Sequence, residues 1–125
     1  MRPLFHPSIE NVTVEAILHA LADPVRVALF ARIVGSKSAQ SCSALMTVTA
    51  IAVPKSTVSQ HFKVLREAGL IRSERRGVEM QNAPRCAEIE SRFPGLIAAV
   101  MSAYDAQQKK EARARGGDRR KWSAR

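Results

Sequence analysis

The chain has 125 residues, 46% of them hydrophobic, which fits one domain with a real core. Two cysteines exclude a disulfide framework, and no stretch approaches the run of about 18 apolar residues that would span a membrane. The 20 Lys and Arg against 11 Asp and Glu give a net charge of +9, a balance that favours polyanionic partners.

Residues 1–11 hold Pro3 and Pro7 and read as an N-terminal arm with no signal-peptide pattern, so a cytoplasmic protein with reduced thiols is expected. From 12 to 21, Val14, Ile17, Leu18 and Leu21 recur at helical spacing. Asp23-Pro24 is a helix start, with Asp as N-cap and Pro in the first turn. The helix that follows carries Val25, Ala28, Leu29 and Ile33 as its apolar stripe, and Gly35-Ser36 ends it. Residues 36–41 read as a polar loop, and Ser41 can cap a short helix with Ala44, Leu45 and Val48. Residues 49–53 are ambiguous, because Thr, Ile and Val dilute helix propensity, and Pro54 breaks the chain.

Lys55 or Ser56 opens a clear helix with Val58, Phe62 and Leu65 on one face, closed by Ala68-Gly69. Residues 70–74 read as a strand, Arg75-Arg76-Gly77 as a turn, and 78–81 as a second strand: a hairpin with a basic tip. Residues 87–93 allow a helical turn or two. Pro94 opens the last helix, with Leu96, Ile97, Val100, Met101 and Tyr104 as its apolar face. Residues 109–125 hold eight basic and two acidic residues and two glycines, Gly116-Gly117, and read as a basic, disordered tail. The organisation expected is therefore an arm over 1–11, a folded domain over 12–108 and a tail over 109–125. The fold class is mainly α with a β-hairpin wing, a winged helix-turn-helix.

Function concentrates between Leu45 and Arg76. The first turns of the helix at 55 offer Ser56, Thr57, Ser59 and Gln60, groups that reach phosphates or base edges, while Val58, Phe62 and Leu65 anchor the opposite face. A helix presenting its polar N-terminal turn outward suits docking in the DNA major groove. Residues 55–76 hold six basic groups, Lys55, Lys63, Arg66, Arg72, Arg75 and Arg76, against Glu67 and Glu74. Arg75 and Arg76 at the wing can lie along a phosphate backbone or in the minor groove. The candidate DNA-binding set is Lys55, Ser56, Thr57, Ser59, Gln60, His61, Lys63, Arg72, Arg75 and Arg76. His61 reads either as a packing group or as a phosphate contact.

Three stretches resemble the ArsR/SmtB family of winged-helix repressors. They are Leu21-Ala22-Asp23-Pro24-Val25-Arg26, then Ser56-Thr57-Val58-Ser59-Gln60-His61-Phe62-Lys63-Val64-Leu65-Arg66-Glu67-Ala68-Gly69-Leu70-Ile71, then the arginine-glycine wing. The resemblance covers about residues 14–104. It implies a homodimer held by the first and last helices, a recognition helix at Ser56–Ala68, and binding to a two-fold symmetric double-stranded DNA operator. It also implies release by an inducer, whose chemistry these residues do not name. Metal-sensing members carry paired cysteines before the recognition helix or His, Asp and Glu ligands on the last helix. Here Cys42 stands alone, and the last helix has no His and only Asp105 and Glu111, six residues apart. No metal, no cofactor and no membrane partner are expected. Some members sense sulfur species or oxidants through two distant cysteines, so Cys42 and Cys86 are either a thiol sensor or small core residues.

No Ser/His/Asp arrangement, Gly-rich phosphate loop or catalytic carboxylate pair can be assembled, so no enzyme activity is expected. The sequence thus reads as a sequence-specific DNA-binding regulator. The alternative is a sequence-independent architectural DNA-binding protein, driven by charge and the basic tail. A winged helix used for protein contact is a third class, against which Arg75 and Arg76 argue.

Overall fold

The computed structural model describes residues 4–36, 40, 41, 45 and 54–123. Among them α1 runs Val14–Leu21, α2 Pro24–Gly35, β1 Gln40–Ser41, α3 Lys55–Glu67, β2 Ile71–Arg76, β3 Glu79–Pro84, α4 Cys86–Arg92 and α5 Leu96–Ser123. The chain divides into two compact units, Met1–Pro94 and Gly95–Arg125.

Local codes explain most helix ends in the first unit. Thr13 caps α1, its Oγ1 accepting the Ala16 N–H at 3.2 Å. Asp23 caps α2, its Oδ1 accepting from Val25 N–H at 2.8 Å and Arg26 N–H at 3.1 Å, with Pro24 in the first turn. Burial alone would raise the Asp23 carboxyl pKa. The two backbone bonds, with the Arg26 guanidinium and His61 nearby, hold it below the usual value. α3 closes in a Schellman arrangement: Leu70 N–H donates to the Leu65 carbonyl at 3.0 Å and Gly69 N–H to that of Arg66 at 3.1 Å. Gly69 has φ +87, and a Cβ there would meet Val12 Cγ2 at 2.4 Å, so only glycine lets the chain turn under Val12.

The core comprises Ile17, Ala20 and Leu21 of α1, Leu29, Phe30 and Ile33 of α2, Val58, Phe62 and Leu65 of α3, with Val12, Leu45, Leu70, Ile71 and Ile89. The apolar faces expected of α1 and α3 lie largely here. Phe30 and Val12 join them, while Val25 and Ala28 are only half-buried and Leu18 is exposed. Of the short helix expected after Ser41, only Leu45 is described, helical and fully buried; Ala44 and Val48 lie outside the described residues.

The hairpin departs from its sequence reading in a way that matters. Arg75 and Arg76 belong to β2, and the turn is Gly77-Val78. Arg76 faces Glu79 across the antiparallel ladder, and the second strand extends to Pro84. Gly77 at φ +64, followed by a residue of ordinary φ, is the glycine-first two-residue turn whose twist suits a hairpin. A third strand was also not foreseen. Gln40–Ser41, within the expected polar loop, pairs with β3, giving the order β1-β3-β2.

The N-terminal arm is docked. Ser73 N–H donates to His6 Nε2 at 3.0 Å, and Arg85 Nη1 donates to the Pro7 carbonyl at 2.8 Å. Arg92 Nη1 donates to the carbonyl of Ile9 at 2.7 Å and also to that of Val12. Arg85 is buried and paired with Glu88, whose carboxyl is held below the usual range first by its hydrogen bond to Arg85.

In the second unit, Pro94 does not open the helix; Gly95 at φ +84 turns the chain and α5 starts at Leu96. The helix continues through Ser123, across the stretch that reads from sequence as a disordered end. Residues 106–115 are all Ala, Gln, Lys, Glu or Arg, strong helix formers, and Lys109 Nζ lies 3.1 Å from Asp105 Oδ2 one turn back.

Candidate nucleic-acid interface

Beside the buried Val58 and Leu65, the other residues of α3 form three stripes. Lys55, Ser59, Phe62 and Arg66 form the first, at spacings of four, three and four. They line one side of a groove of about 320 Å³, whose other walls are Arg75, Val78, Glu79 and Met80 of the wing and Leu4 of the arm. Ser56, Gln60, Lys63 and Glu67 form the second stripe, and all four are exposed. Thr57 heads the third, which descends through half-buried His61 and Val64 to buried Ala68.

The start of α3 differs from that of α2. Pro54 is its N-cap and offers no side-chain acceptor. Ser56 and Thr57 sit inside the first turn and are exposed, so they do not serve as the N-cap. The first N–H groups of α3 and its partial positive charge therefore face outward beside four small polar side chains.

Strand alternation sorts the wing arginines. Ile71 and Ser73 point inward on β2, and Arg75 follows them on that face, which brings it to the groove with Lys55 and Arg66. Arg72, Glu74 and Arg76 take the opposite face. There Arg72 Nη2 lies 3.4 Å from Glu88 Oε1 and Arg76 Nη2 3.6 Å from Glu74 Oε2. Arg66, set apart by sequence only as one charge among several, is a groove residue and also donates to Ser73 Oγ at 3.4 Å.

His61 does not join the exposed set. Its Nδ1 lies 3.4 Å from Arg26 Nη1, and Arg26 also donates to the carbonyls of Ala20 at 2.7 Å and His19 at 3.2 Å. Arg26 thereby ties the end of α1 to α3, a structural task for the last residue of the Leu-Ala-Asp-Pro-Val-Arg stretch that sequence alone did not assign.

A helix-turn-helix domain model matches residues 21–74, which spans α2 and α3 and ends within the first strand of the wing. The HTH-type transcriptional repressor SmtB of Mycobacterium tuberculosis is 41% identical over 64 residues, 51% of this chain. The chain spans 44% of the length of that curated relative. Among solved structures, the transcriptional repressor BigR from Xylella fastidiosa superposes with TM-score 0.53 at 26% identity, covering 69% of this chain and 84% of that one. Rv0081 of M. tuberculosis superposes at 0.57 with 22% identity, covering 78% and 90%, a likeness of fold.

Over the matched stretch the chain is similar to winged helix-turn-helix proteins of the ArsR/SmtB type.

Its fold is the winged helix-turn-helix, with α3 as the helix before the wing and β2–β3 as the wing. ArsR/SmtB proteins are transcriptional regulators and in general not enzymes. No group of three or more His, Cys, Asp and Glu among the described residues could hold a metal ion. No helix among them is long and apolar enough to cross a membrane. Cys42 lies outside the described residues. Cys86 opens α4 half-buried, and burial pushes its thiol pKa up, away from the thiolate that a reactive sensor needs.

Proposed function

We propose that this chain is a sequence-specific DNA-binding repressor acting as a homodimer. The observation that carries this reading is the uncapped, exposed start of α3 next to a groove bearing Lys55, Arg66 and Arg75. The exposed stripe of Ser56, Gln60 and Lys63 would face base edges in the major groove, Gln60 being long enough for a bidentate contact to adenine. Lys55, Thr57, Ser59, Arg66 and Arg75 would hold phosphates, and Arg76 would reach the backbone beyond the wing tip. Arg72 and His61 are left out, because Arg72 lies near the start of β2, away from the wing tip, and His61 is half-buried beside Arg26. SmtB and BigR, both described as transcriptional repressors, support the regulatory role.

The dimer rests on apolar groups that remain uncovered. Leu18 of α1 is exposed, and Leu96, Val100, Met101 and Tyr104 of α5 are only half-buried. A two-fold pairing would set two copies of α3 roughly 34 Å apart, one turn of DNA, and so select an inverted repeat.

Selection from a random duplex pool tests the function. The expected result is an enriched inverted repeat whose preference over random DNA survives rising salt. A charge-driven architectural binder would enrich nothing and lose all duplexes alike. Sedimentation at micromolar concentration should give a dimer, and a monomer contradicts the paired arrangement.

A further inference from the structure

We propose that His6 is a positioning residue for the DNA-binding face: neutral, it accepts the Ser73 N–H and holds the arm against the root of the wing, and its protonation releases that hold. The inference rests on the reading of α3 and the wing as the DNA-binding face.

Among the described residues β2 is an outer strand of the sheet, so on one side its N–H groups have no described strand to bond. Ser73 is 4% exposed, and its outward N–H is satisfied by His6 Nε2 at 3.0 Å. The bond is wired into both parts of the binding face. Ser73 Oγ donates to Asn82 Oδ1 of β3 at 2.7 Å and accepts from Arg66 Nη1 of α3 at 3.4 Å. Two residues before His6, Leu4 lines the same groove as Arg66 and Arg75. Where the arm lies therefore bears on Arg66, on the wing and on the shape of the groove between them.

The bond requires a neutral ring. A lone pair on Nε2 accepts; in the imidazolium both ring nitrogens are donors, and a donor cannot face the Ser73 N–H. The charged groups around the ring come from three elements: Arg72 of β2, Arg66 of α3, and Arg85 ahead of α4. Glu88 of α4 is engaged by Arg85 and Arg72. Burial first, and then these three guanidiniums, hold the His6 pKa below its ordinary 6.5, while a backbone hydrogen bond at Leu4 works the other way. With the folded value lowered, the unfolded arm binds the proton more readily. The arm's contribution is thus complete above the ordinary value and is lost as pH falls through the folded one.

The test uses the full chain, as the parent and as His6→Gln and His6→Ala. Glutamine offers an acceptor oxygen for the Ser73 N–H and does not titrate. NMR follows the Ser73 amide proton and the His6 ring from pH 8 to pH 5. Fluorescence anisotropy follows binding to the duplex enriched from the random pool. In the parent, the Ser73 amide should shift with the His6 midpoint, below 6.5. Across the same window the parent should lose about three- to tenfold more DNA affinity than His6→Gln, the worth of one hydrogen bond. His6→Ala should bind at the weakened level throughout. A Ser73 amide indifferent to the His6 titration overturns the proposal, and so does a His6→Gln variant that loses affinity with pH as the parent does. Should the pool enrich no duplex, the repressor reading fails by that result, and the Ser73 titration still decides whether His6 holds the arm.

Discussion

The two ends of α3 are built on opposite plans. At its C-terminus the carbonyls of Val64, Leu65 and Arg66 are all bonded, Gly69 takes a left-handed φ beneath Val12, Leu70 bonds back to Leu65, and both leucines are buried. At its N-terminus Pro54 supplies no capping side chain, and Lys55, Ser56, Thr57, Ser59 and Gln60 are all exposed. A helix that needed only stability would be capped at both ends, as α2 is by Asp23 at its start. The lesson is a division of labour along one helix, with the buried end fixing the position from which the open end works.

Breaking the closed end should have the largest effect. Gly69→Ala forces an L side chain into a left-handed conformation and its Cβ into Val12. Strain and overpacking together should cost about 2–5 kcal/mol in chemical unfolding. A loss below 0.5 kcal/mol would mean that the close approach is not what anchors α3. The next effect separates the two helix starts. Asp23→Ala removes two backbone acceptor contacts and should cost about 0.5–2 kcal/mol at neutral pH. Because the folded Asp23 pKa lies below its ordinary value of 3.8, that difference from the parent should shrink as acid protonates the carboxyl.

The wing sharpens the comparison further. Arg75→Ala should weaken binding to all duplexes and reduce the salt slope by about 1, the mark of one lost phosphate contact. Arg76→Ala, on the other face and beside Glu74, should do less. Equal losses would put the DNA across both faces of β2 and contradict the groove as the phosphate track. Smallest of all, Ser56→Ala should change unfolding stability by under about 0.5 kcal/mol, since Ser56 is not the cap. A loss near that of Asp23→Ala would show the open end to be a capped one.

What could be read from sequence was what is written locally. Asp23-Pro24, Ala68-Gly69 and the Val58, Phe62, Leu65 stripe name their own structure within a few residues, and the winged helix follows from their order. The faces of Arg75 and Arg76 were not legible. Placing the turn at Gly77-Val78 instead of 75–77 moves both arginines onto a strand and sets them on opposite sides. The docked arm was hidden for a different reason: His6 meets Ser73, and Arg85 and Arg92 meet Pro7 and Ile9, across most of the chain. Arg66 looked like one charge among six because helix position alone does not say where the wing will fold back.

The most direct measurement of the central claim, that the open end of α3 reads base edges, is to repeat the duplex selection with Gln60→Ala. The account predicts an inverted repeat of the same spacing in which one position of each half-site loses its base preference. That loss corresponds to about 1–3 kcal/mol of discrimination. An enriched sequence unchanged from the parent's would contradict it.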